Sequence, residues 1–148
     1  MINPKGTRVS ERFSHTMVPY DRKLFVFGGA GHYLSSIKMR MSFNDVLVFD
    51  TINEEWQILL ENELSPRKRM SHSASIMGCI MLVSGGFSTE AKKVLDDLRM
   101  FDCDLMAWIE TKLFVAGTKV TEKNQAHLFE NSHWPGKRQM HTITAIYD

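Results

Sequence analysis

Two groups of side chains in this sequence could bind a metal ion or exchange protons. Asp96 and Asp97 are adjacent carboxylates, and His127, His133 and His141 lie toward the end of the chain. The spacing of the histidines matches neither a helical metal motif nor a zinc finger. Asp97 also recurs in an internal repeat, which favours a structural role for the acidic pair. We therefore predict no catalytic residue, no metal site and no cofactor.

A glycine-rich stretch, residues 28–31, follows an apolar run and could cradle a phosphate group. It fits neither GxGxxG nor GxxxxGK[ST], and no helical pattern follows it. Paired glycines also permit positive φ and close backbone approach where strands converge. A second pair at residues 85–86 occupies the same place in the repeat. The sequence therefore predicts a structural role for both pairs.

The densest basic cluster is Arg67-Lys68-Arg69, which follows the turn residues Ser65-Pro66. Clustered Lys and Arg can contact nucleic-acid phosphates, but no aromatic residue nearby offers a stacking surface. The chain has 18 basic and 17 acidic side chains and a formal net charge of +1, so it has no long-range attraction for nucleic acid or an anionic membrane. We predict neither as a partner. Arginines here would satisfy backbone carbonyls or carboxylates, or contact a ligand.

Cysteine usage and hydropathy indicate the compartment. Cys79 and Cys103 show no metal-type spacing, and a reducing setting is the simplest interpretation. The first residues lack the apolar run of a signal peptide. The longest apolar stretch, Ile76 to Val83, is far shorter than the roughly 20 residues of a membrane helix. The sequence favours a soluble, cytoplasmic protein.

An internal repeat organises most of the chain. Its front half recurs after 57 residues, which separate His15 from His72, and its back half after 52 residues, which separate Asp45 from Asp97. The difference falls in a connecting segment, as expected when strands keep their length and a surface loop varies. The repeated structural positions are Gly28, Gly29, Asp45, Asp50 and Trp56 in the first copy, and Gly85, Gly86, Asp97, Asp102 and Trp108 in the second.

These residues resemble the kelch repeat. Gly-Gly follows an apolar strand, an aromatic-Asp pair ends the next strand, a Trp follows, and Pro-Arg and Arg-x-x-His lead into the next unit. The period of about 50 residues also fits. The resemblance covers residues 12–108 and 138–148. It implies an all-β fold, a fragment of a kelch-type β-propeller built from four-stranded antiparallel blades.

The repeat predicts the organisation of the chain. Residues 1–11 would form an N-terminal arm, 12–68 blade 1, 69–137 blade 2 with an inserted connection at 109–137, and 138–148 the first strand of a truncated third blade. A propeller closes with about four to eight blades. We therefore expect a longer chain or other subunits to complete the ring.

Strands are expected at equivalent places in both blades, with loops at 30–44 and 87–96 between the second and third strands. The apolar residues from Trp56 to Leu64 have helical spacing, but the second copy lacks this pattern, so the repeat favours a strand. The predicted strands are His15–Val18, Lys23–Phe27, Val46–Phe49 and Trp56–Leu59 in blade 1, and Ser71–Ile76, Ile80–Val83, Leu98–Phe101 and Met106–Ile109 in blade 2.

The resemblance implies a protein-interaction module, a scaffold or adaptor whose rigid blades present loops to a protein partner. In kelch-like proteins, residues at the corners between blades line the surface where protein ligands dock. Charged and aromatic residues of the first long loop would join them. The residues predicted to contact a partner are Arg12, His32, Tyr33, Lys38, Arg40, Arg67, Lys68, Arg69 and Arg138.

Two other functions remain open. One is an architectural subunit of a large assembly. The other is a metal-dependent oxidase or other enzyme, a chemistry found in some kelch-like propellers that needs Tyr, His and Cys ligands near the axis. Tyr20, Tyr33 and Tyr147 fall at unrelated positions of the repeat, which favours a non-enzymatic role.

Overall fold

The computed structural model describes residues 5–36, 38–111, 113–115, 118–120 and 137–144. Within these ranges all regular elements are β-strands, so the predicted all-β class is confirmed, and no helix there could cross a membrane. The strands are β1 (Lys5–Gly6), β2 (Thr16–Tyr20), β3 (Lys23–Phe27), β4 (Ala30–Leu34), β5 (Met39–Ser42), β6 (Val46–Asp50), β7 (Glu55–Leu59), β8 (Ser73–Met77), β9 (Ile80–Ser84), β10 (Phe87–Ser88), β11 (Lys93–Val94), β12 (Leu98–Asp102), β13 (Ala107–Ile109), β14 (Leu113–Val115) and β15 (Thr118–Val120).

Blade 1 is an antiparallel sheet in which β7, β6, β3 and β2 are successive neighbours. Asp21 and Arg22 form the turn between β2 and β3, with φ of 39° and 59°, the positive values that two-residue hairpin turns require. Asp50 starts the turn between β6 and β7. Its Oδ1 accepts hydrogen bonds from the N–H groups of Ile52 and Asn53 at 2.8 and 2.9 Å. A side chain thus stabilises the turn.

Blade 2 repeats this arrangement with β13, β12, β9 and β8 as successive neighbours. Asp102 has the role of Asp50, because its Oδ1 accepts from the N–H groups of Asp104 and Leu105 at 3.0 and 2.9 Å. The predicted strands of both blades are present, with bounds within a few residues of those expected. The segment with helical spacing forms a strand, β7, paired to β6 along its whole length.

The two segments predicted as loops each contain a β-hairpin. β4 pairs with β5 over Ala30–Leu34, whereas β10 and β11 contribute only two residues each. The first hairpin is longer because blade 1 has five more residues between Gly-Gly and the next repeated Asp. These hairpins were missed because their strands have only two to five residues and lack the repeated register that marked the strands of the blades.

The ends of the chain also differ from expectation. The predicted N-terminal arm contains β1, which pairs in parallel with the start of β7 and adds a fifth strand to blade 1. The predicted inserted connection, residues 109–137, contains β14 and β15, which pair with each other as a hairpin. Residues 121–136 of this connection lie outside the described residues. The described part of the predicted third-blade strand, residues 138–144, is not a strand, since none of the described residues pairs with it as a neighbouring strand.

The main core lies between the two blades. Phe25 and Phe27 of blade 1 face Phe101 and Trp108 of blade 2, and the Phe27 and Trp108 rings meet edge to face with centroids 4.8 Å apart. Trp108 is 4% exposed, whereas Trp56, its equivalent in blade 1, is half-buried and contacts Phe49. The tryptophan of each repeat therefore lies on the face turned toward the preceding blade.

The strand directions place the connections between the strands of the two blades at two ends. The tight turns β2–β3, β6–β7, β8–β9 and β12–β13 lie at one end, which we call the turn end. The other end, which we call the loop end, holds the β4–β5 and β10–β11 hairpins. It also holds residues 60–72 and the corner segments that lead into each blade. All the residues predicted to contact a partner belong to the loop end.

Candidate functional site

A buried arginine forms the corner at the entry to blade 2. The guanidinium of Arg69 donates two hydrogen bonds to the carboxylate of Asp97, both of 2.7 Å, and a third to the carbonyl oxygen of Gly85 at 2.9 Å. Its side chain is 0% exposed. Burial by itself would raise the pKa of Asp97, but hydrogen bonds and charge from Arg69, and then from Arg99, outweigh it and lower that pKa.

The same contacts recur at the entry to blade 1. Arg12 donates to both carboxylate oxygens of Asp45, at 2.7 and 3.0 Å, and to the carbonyl oxygen of Gly28 at 3.1 Å. Partner contact by Arg12 and Arg69 remains a prediction, and these contacts favour a structural role for both at the corners. Both guanidinium groups are buried and occupied by their own blade, so they hold the corner in place and have little surface to offer.

Arg138 occupies the equivalent corner of the third copy. Its N–H donates to the carbonyl oxygen of Leu95, and its own carbonyl oxygen accepts from the N–H of Gly86. These main-chain bonds match those of Arg69 with Phe43 and Gly29. The side chain of Arg138 is exposed and has no ion-pair partner among the described residues. Arg138 is thus a corner residue whose side chain reaches solvent.

The Gly-Gly pairs make close approach to these corners possible. Gly28 and Gly29 have φ of 60° and 97°, and a Cβ added at Gly28 would lie 2.8 Å from the carbonyl oxygen of Arg69. Gly85 and Gly86 have φ of 60° and 94° and face the next corner in the same way. Any side chain here would be strained and would displace the corner, so the pairs act in blade-to-blade contact rather than in phosphate binding.

His72 lies buried beside the second corner. Its Nε2 is 2.8 Å from the hydroxyl oxygen of Thr16, and its ring contacts Phe27 edge-on at 5.1 Å. Burial, followed by the nearby charges of Arg69, His15 and His141, lowers the pKa of His72 to about 3. The imidazole is therefore neutral at physiological pH and belongs to the packing between blades.

The first hairpin carries four of the residues predicted for partner contact, namely His32, Tyr33, Lys38 and Arg40, and all four are exposed. The segment from Ala30 to Ser42 includes no acidic residue. Tyr33 is 52% exposed, which is high for an aromatic side chain. The hairpin therefore presents cations and an aromatic ring to solvent without local neutralisation.

Two guanidinium–aromatic stacks fix the base of this hairpin. The guanidinium carbon of Arg12 lies 4.3 Å from the centroid of the Phe43 ring, and that of Arg40 lies 4.9 Å from the centroid of Phe13. Arg40 also donates one hydrogen bond to the carbonyl oxygen of Gly31, at 3.3 Å. Such stacking holds a guanidinium at a defined position without consuming its in-plane donors.

The hairpin and the segment before blade 1 enclose an open cleft of ≈ 500 Å³, which we call the hairpin cleft. Arg8, His32 and Arg40 bring basic groups to its lining. Glu11 is the acidic residue of the lining. The remaining lining residues are Val9, Ser10, Arg12, Phe13, Gly31, Met41 and Phe43.

Arg67 and Lys68 lie next to the two hairpins. Both side chains are exposed, and Lys68 forms an ion pair with Glu90 at 3.7 Å. The hairpins contact each other through the hydroxyl groups of Ser42 and Thr89, 2.5 Å apart. Lys68 lines one surface groove with Arg40 and Met41 of the first hairpin, and the exposed Arg67 precedes it in the chain.

Sequence reasoning missed Phe13, Phe43 and Arg8, which shape the hairpin cleft. The two phenylalanines align with Met70 and Leu95 in the second copy. These two positions differ between the copies, whereas the repeat marks only the positions that the copies share. The aromatic character of these two positions in blade 1 alone could have marked them.

One group of side chains at the turn end resembles a cation site. The ligand atoms of Cys79, Asp102 and Asp104 lie within 4.8 Å of one another. The turn already accounts for them, because Asp102 accepts two backbone N–H groups and Asp104 accepts a hydrogen bond from the Tyr20 hydroxyl at 3.0 Å. That last contact, followed by burial, raises the pKa of Tyr20 to about 12. Burial chiefly raises the pKa of the Cys79 thiol, which disfavours the thiolate form that metals bind.

Comparison with known families gives a match over almost the whole chain. Residues 1–146 match the profile of the KLHDC2/KLHL20/DRC7 Kelch-repeats domain. Among solved structures, that of YjhT superposes with a TM-score of 0.58 at 18% sequence identity. The superposition covers 74% of this chain and 40% of YjhT, and at this identity it shows the fold alone.

Three curated proteins illustrate the similarity to longer chains. Rho GTPase-activating protein gacHH of Dictyostelium discoideum is 31% identical over 97 residues, covering 65% of this chain and 6% of that protein. Tip elongation aberrant protein 3 of Schizosaccharomyces pombe is 26% identical over 134 residues, covering 76% and 12%. Kelch domain-containing protein 3 of Rattus norvegicus is 27% identical over 97 residues, covering 66% and 24%. The chain therefore spans no more than 24% of the length of these relatives.

Proposed function

This chain belongs to the KLHDC2/KLHL20/DRC7 family of kelch-repeat domains, and on that premise we propose that it is a scaffold or adaptor that binds a protein partner through its loop end. Kelch-repeat domains are commonly protein-interaction modules. The blades hold the loop end rigid through buried contacts, and the exposed side chains on it recognise the partner. No catalytic step belongs to this proposal.

One observation carries the proposal. Of the loop-end residues predicted to contact a partner, Arg12 and Arg69 are buried in corner ion pairs, and the others are exposed. The exposed class includes an aromatic ring and lacks neighbouring acids on the hairpin. Loops held by a rigid scaffold are where binding residues concentrate, and aromatic and arginine side chains supply much of the energy of protein interfaces. The exposed class is His32, Tyr33, Lys38, Arg40, Arg67, Lys68 and Arg138.

Charge reversal at the two ends of the molecule tests this proposal. The loop-end variant is Arg67→Glu with Lys68→Glu. The matched control is Glu54→Lys with Glu55→Lys, which reverses two exposed charges at the turn end. We expect the wild type and the control to retain the same partners in quantitative affinity purification, and the loop-end variant to lose them. Equal retention by both variants would contradict a binding role for the loop end.

We propose further that a longer chain or other subunits supply the blades that flank these two. Trp56 supports this, because it is half-buried on the face that the equivalent Trp108 turns toward its preceding blade. The greater length of the relatives supports it too. A mass measurement on the purified chain is the test. A discrete oligomer is expected if copies of the chain complete the ring, and aggregation or non-cooperative unfolding is expected if the missing blades lie in a longer chain or another subunit. A stable monomer with a single cooperative unfolding transition would contradict the proposal.

A cytoplasmic location is the remaining part of the proposal. Cys79 and Cys103 are both free thiols, which suits a reducing compartment. The balanced charge offers no attraction to an anionic membrane surface. Fluorescence microscopy of the protein carrying a tag at each end in turn is the test. Signal confined to an organelle or to the cell surface would contradict the cytoplasmic assignment.

A further inference from the structure

Arg40 and Arg12 are both stacked on a phenylalanine ring, yet their guanidinium groups are engaged very differently. Arg12 directs both terminal nitrogens at Asp45 and is buried. Arg40 is exposed, and among the described residues its guanidinium makes one hydrogen bond, to the carbonyl oxygen of Gly31. Arginine has five N–H donors in a planar fork that matches a carboxylate. Most of the donors of Arg40 therefore remain available, on a group already held in position by Phe13.

The surroundings of Arg40 combine positive charge with apolar surface. Arg8 and His32 line the same hairpin cleft. Phe13 and Met41 line it as well, and are 45% and 37% exposed. A ligand in this cleft would meet a preorganised guanidinium, further basic groups and an apolar contact within one concave surface. Such a combination suits a peptide segment with both acidic and apolar side chains.

Comparison of the two repeats shows that the fold does not require this arrangement. Blade 2 has the same corner ion pair, with Arg69 in place of Arg12, and the same Gly-Gly pair. The described part of blade 2 has no guanidinium stacked on an exposed aromatic ring, and its hairpin is shorter. The positions equivalent to Phe13, His32, Arg40 and Phe43 are Met70, Thr89, Lys92 and Leu95.

We propose that the hairpin cleft binds an acidic segment of a partner protein, with a carboxylate of that segment held by the fork of Arg40 and an apolar side chain packed against Phe13 and Met41. This inference rests on the proposed function and names the chemistry of the partner. Glu11, on the lining of the cleft, repels any anion, so the apolar contacts with Phe13 and Met41 must add to the attraction of the basic groups. The chain carries little net charge to attract nucleic acid.

The test uses synthetic peptides with the full chain. The probe is a fluorescent peptide of alternating Asp and Glu around a central Leu, and its control replaces every acid with Asn or Gln. Anisotropy titrations should show binding of the acidic peptide, weakening as salt rises, and none of the amide peptide. Arg40→Gln should weaken binding about tenfold, the loss expected for one charge-assisted pair. Lys92→Gln, the matched change in blade 2, should alter it less than twofold.

Further variants separate recognition from folding. Arg40→Lys keeps the charge but not the fork, so it should bind more weakly than the wild type and more tightly than Arg40→Gln. The melting temperature should be unchanged in both, because Arg40 is exposed. Equal binding of the acidic and amide peptides, or equal effects of Arg40→Gln and Lys92→Gln, would overturn the inference. Tighter binding of a peptide whose single anionic group is a phosphoserine would overturn it in favour of phosphate recognition.

The two proposals fail in different ways. If acidic peptides do not bind, but charge reversal at Arg67 and Lys68 still removes the cellular partners, the loop end is the binding surface and its ligand is of another chemistry. If that charge reversal leaves the partners in place, the loop end itself is not the binding surface. The peptide titration and the affinity purification therefore give separate answers.

Discussion

Blade 1 and blade 2 share a framework and differ in what they display. Both have an arginine–aspartate pair at the corner, two glycines at positive φ and an aspartate that binds the N–H groups of a turn. The equivalent hairpin of blade 2 is shorter, and in the described part of blade 2 no guanidinium stacks on an aromatic ring and no tyrosine is exposed. Features common to the two copies stabilise the fold, and features confined to one copy are free to serve recognition.

The copies also differ in how completely their tryptophans are covered. Trp108 is enclosed by Phe27 and Phe101 between the blades, with ring centroids at 4.8 and 5.2 Å. Trp56 contacts Phe49 at 5.0 Å but remains half-buried. The equivalent tryptophans of the two repeats thus contribute differently to stability, because another blade covers Trp108 but not Trp56.

The largest expected effect is on this pair of tryptophans. Trp108→Ala should lower the free energy of unfolding by about 4 kcal/mol, because it removes a large buried ring and leaves a cavity. Trp56→Ala should cost about 1–2 kcal/mol, since its ring is only partly removed from water. Denaturant unfolding of the two variants measures the difference. Similar losses in both would show that Trp56 is covered as fully as Trp108 in solution.

The corner ion pairs should show the next largest effect. Arg69→Ala leaves the carboxylate of Asp97 mostly buried without its main partner, so we expect a loss of about 3 kcal/mol. Arg12→Ala should cost less, because Asp45 is the more exposed of the two aspartates, 24% against 19% for Asp97, and Arg12 keeps a small exposed surface. Chemical denaturation at neutral pH provides the values. A larger loss for Arg12→Ala would reverse the ranking of the two corners.

Buried His72 predicts a pH dependence of stability. Its pKa is about 3 in the folded state and about 6.5 when unfolded, so the unfolded state binds the proton more tightly. Stability is therefore full above pH 6.5 and falls as pH decreases from 6.5 toward about 3, with a slope of up to about 1.4 kcal/mol per pH unit.

The contribution of His72 is measured by the slope of the free energy of unfolding against pH, rather than by the free energy at a single pH. His72→Gln should flatten it between pH 6.5 and about 4, whereas His15→Gln should flatten it less, because His15 is exposed. The lowered pKa values of His15 and His141 act in the same direction. The lowered pKa of Asp97 contributes at more acidic pH, where that carboxylate takes up its proton. An unchanged slope in His72→Gln would assign the acid sensitivity to other groups.

The smallest expected effect concerns the positions that differ between the blades. Arg40→Gln and Lys92→Gln should each change the free energy of unfolding by less than about 0.5 kcal/mol, as is usual for exposed side chains. Urea titration of both variants is the measurement. A loss above 1 kcal/mol in Arg40→Gln alone would mean that the stack on Phe13 is part of the framework of blade 1.

Periodicity predicted the strands well because a repeated register gives each strand two independent signals. The repeat also predicted correctly that the segment around Trp56 is a strand, although its apolar residues have helical spacing. The roles of Arg12 and Arg69 could not be read from local sequence, because their aspartate partners lie 33 and 28 residues away, at the far side of the hairpins. The recurrence of both Arg and Asp in each copy was nevertheless a sign of pairing. The short strands β1, β10 and β11 depend on neighbours that no local pattern specifies.

The corner arginine has a further consequence for how such proteins grow. The main chain of Arg69 binds blade 1, through Gly29 and Phe43, while its side chain binds blade 2, through Gly85 and Asp97. Each repeat therefore contains two sets of groups. Its own corner arginine binds the previous blade through the main chain, and its Gly-Gly pair binds the corner of the next blade. A tandem duplication of such a segment in a gene yields a new junction whose hydrogen bonds are already satisfied. The corner hydrogen bonds therefore require no compensating mutation when a unit is added.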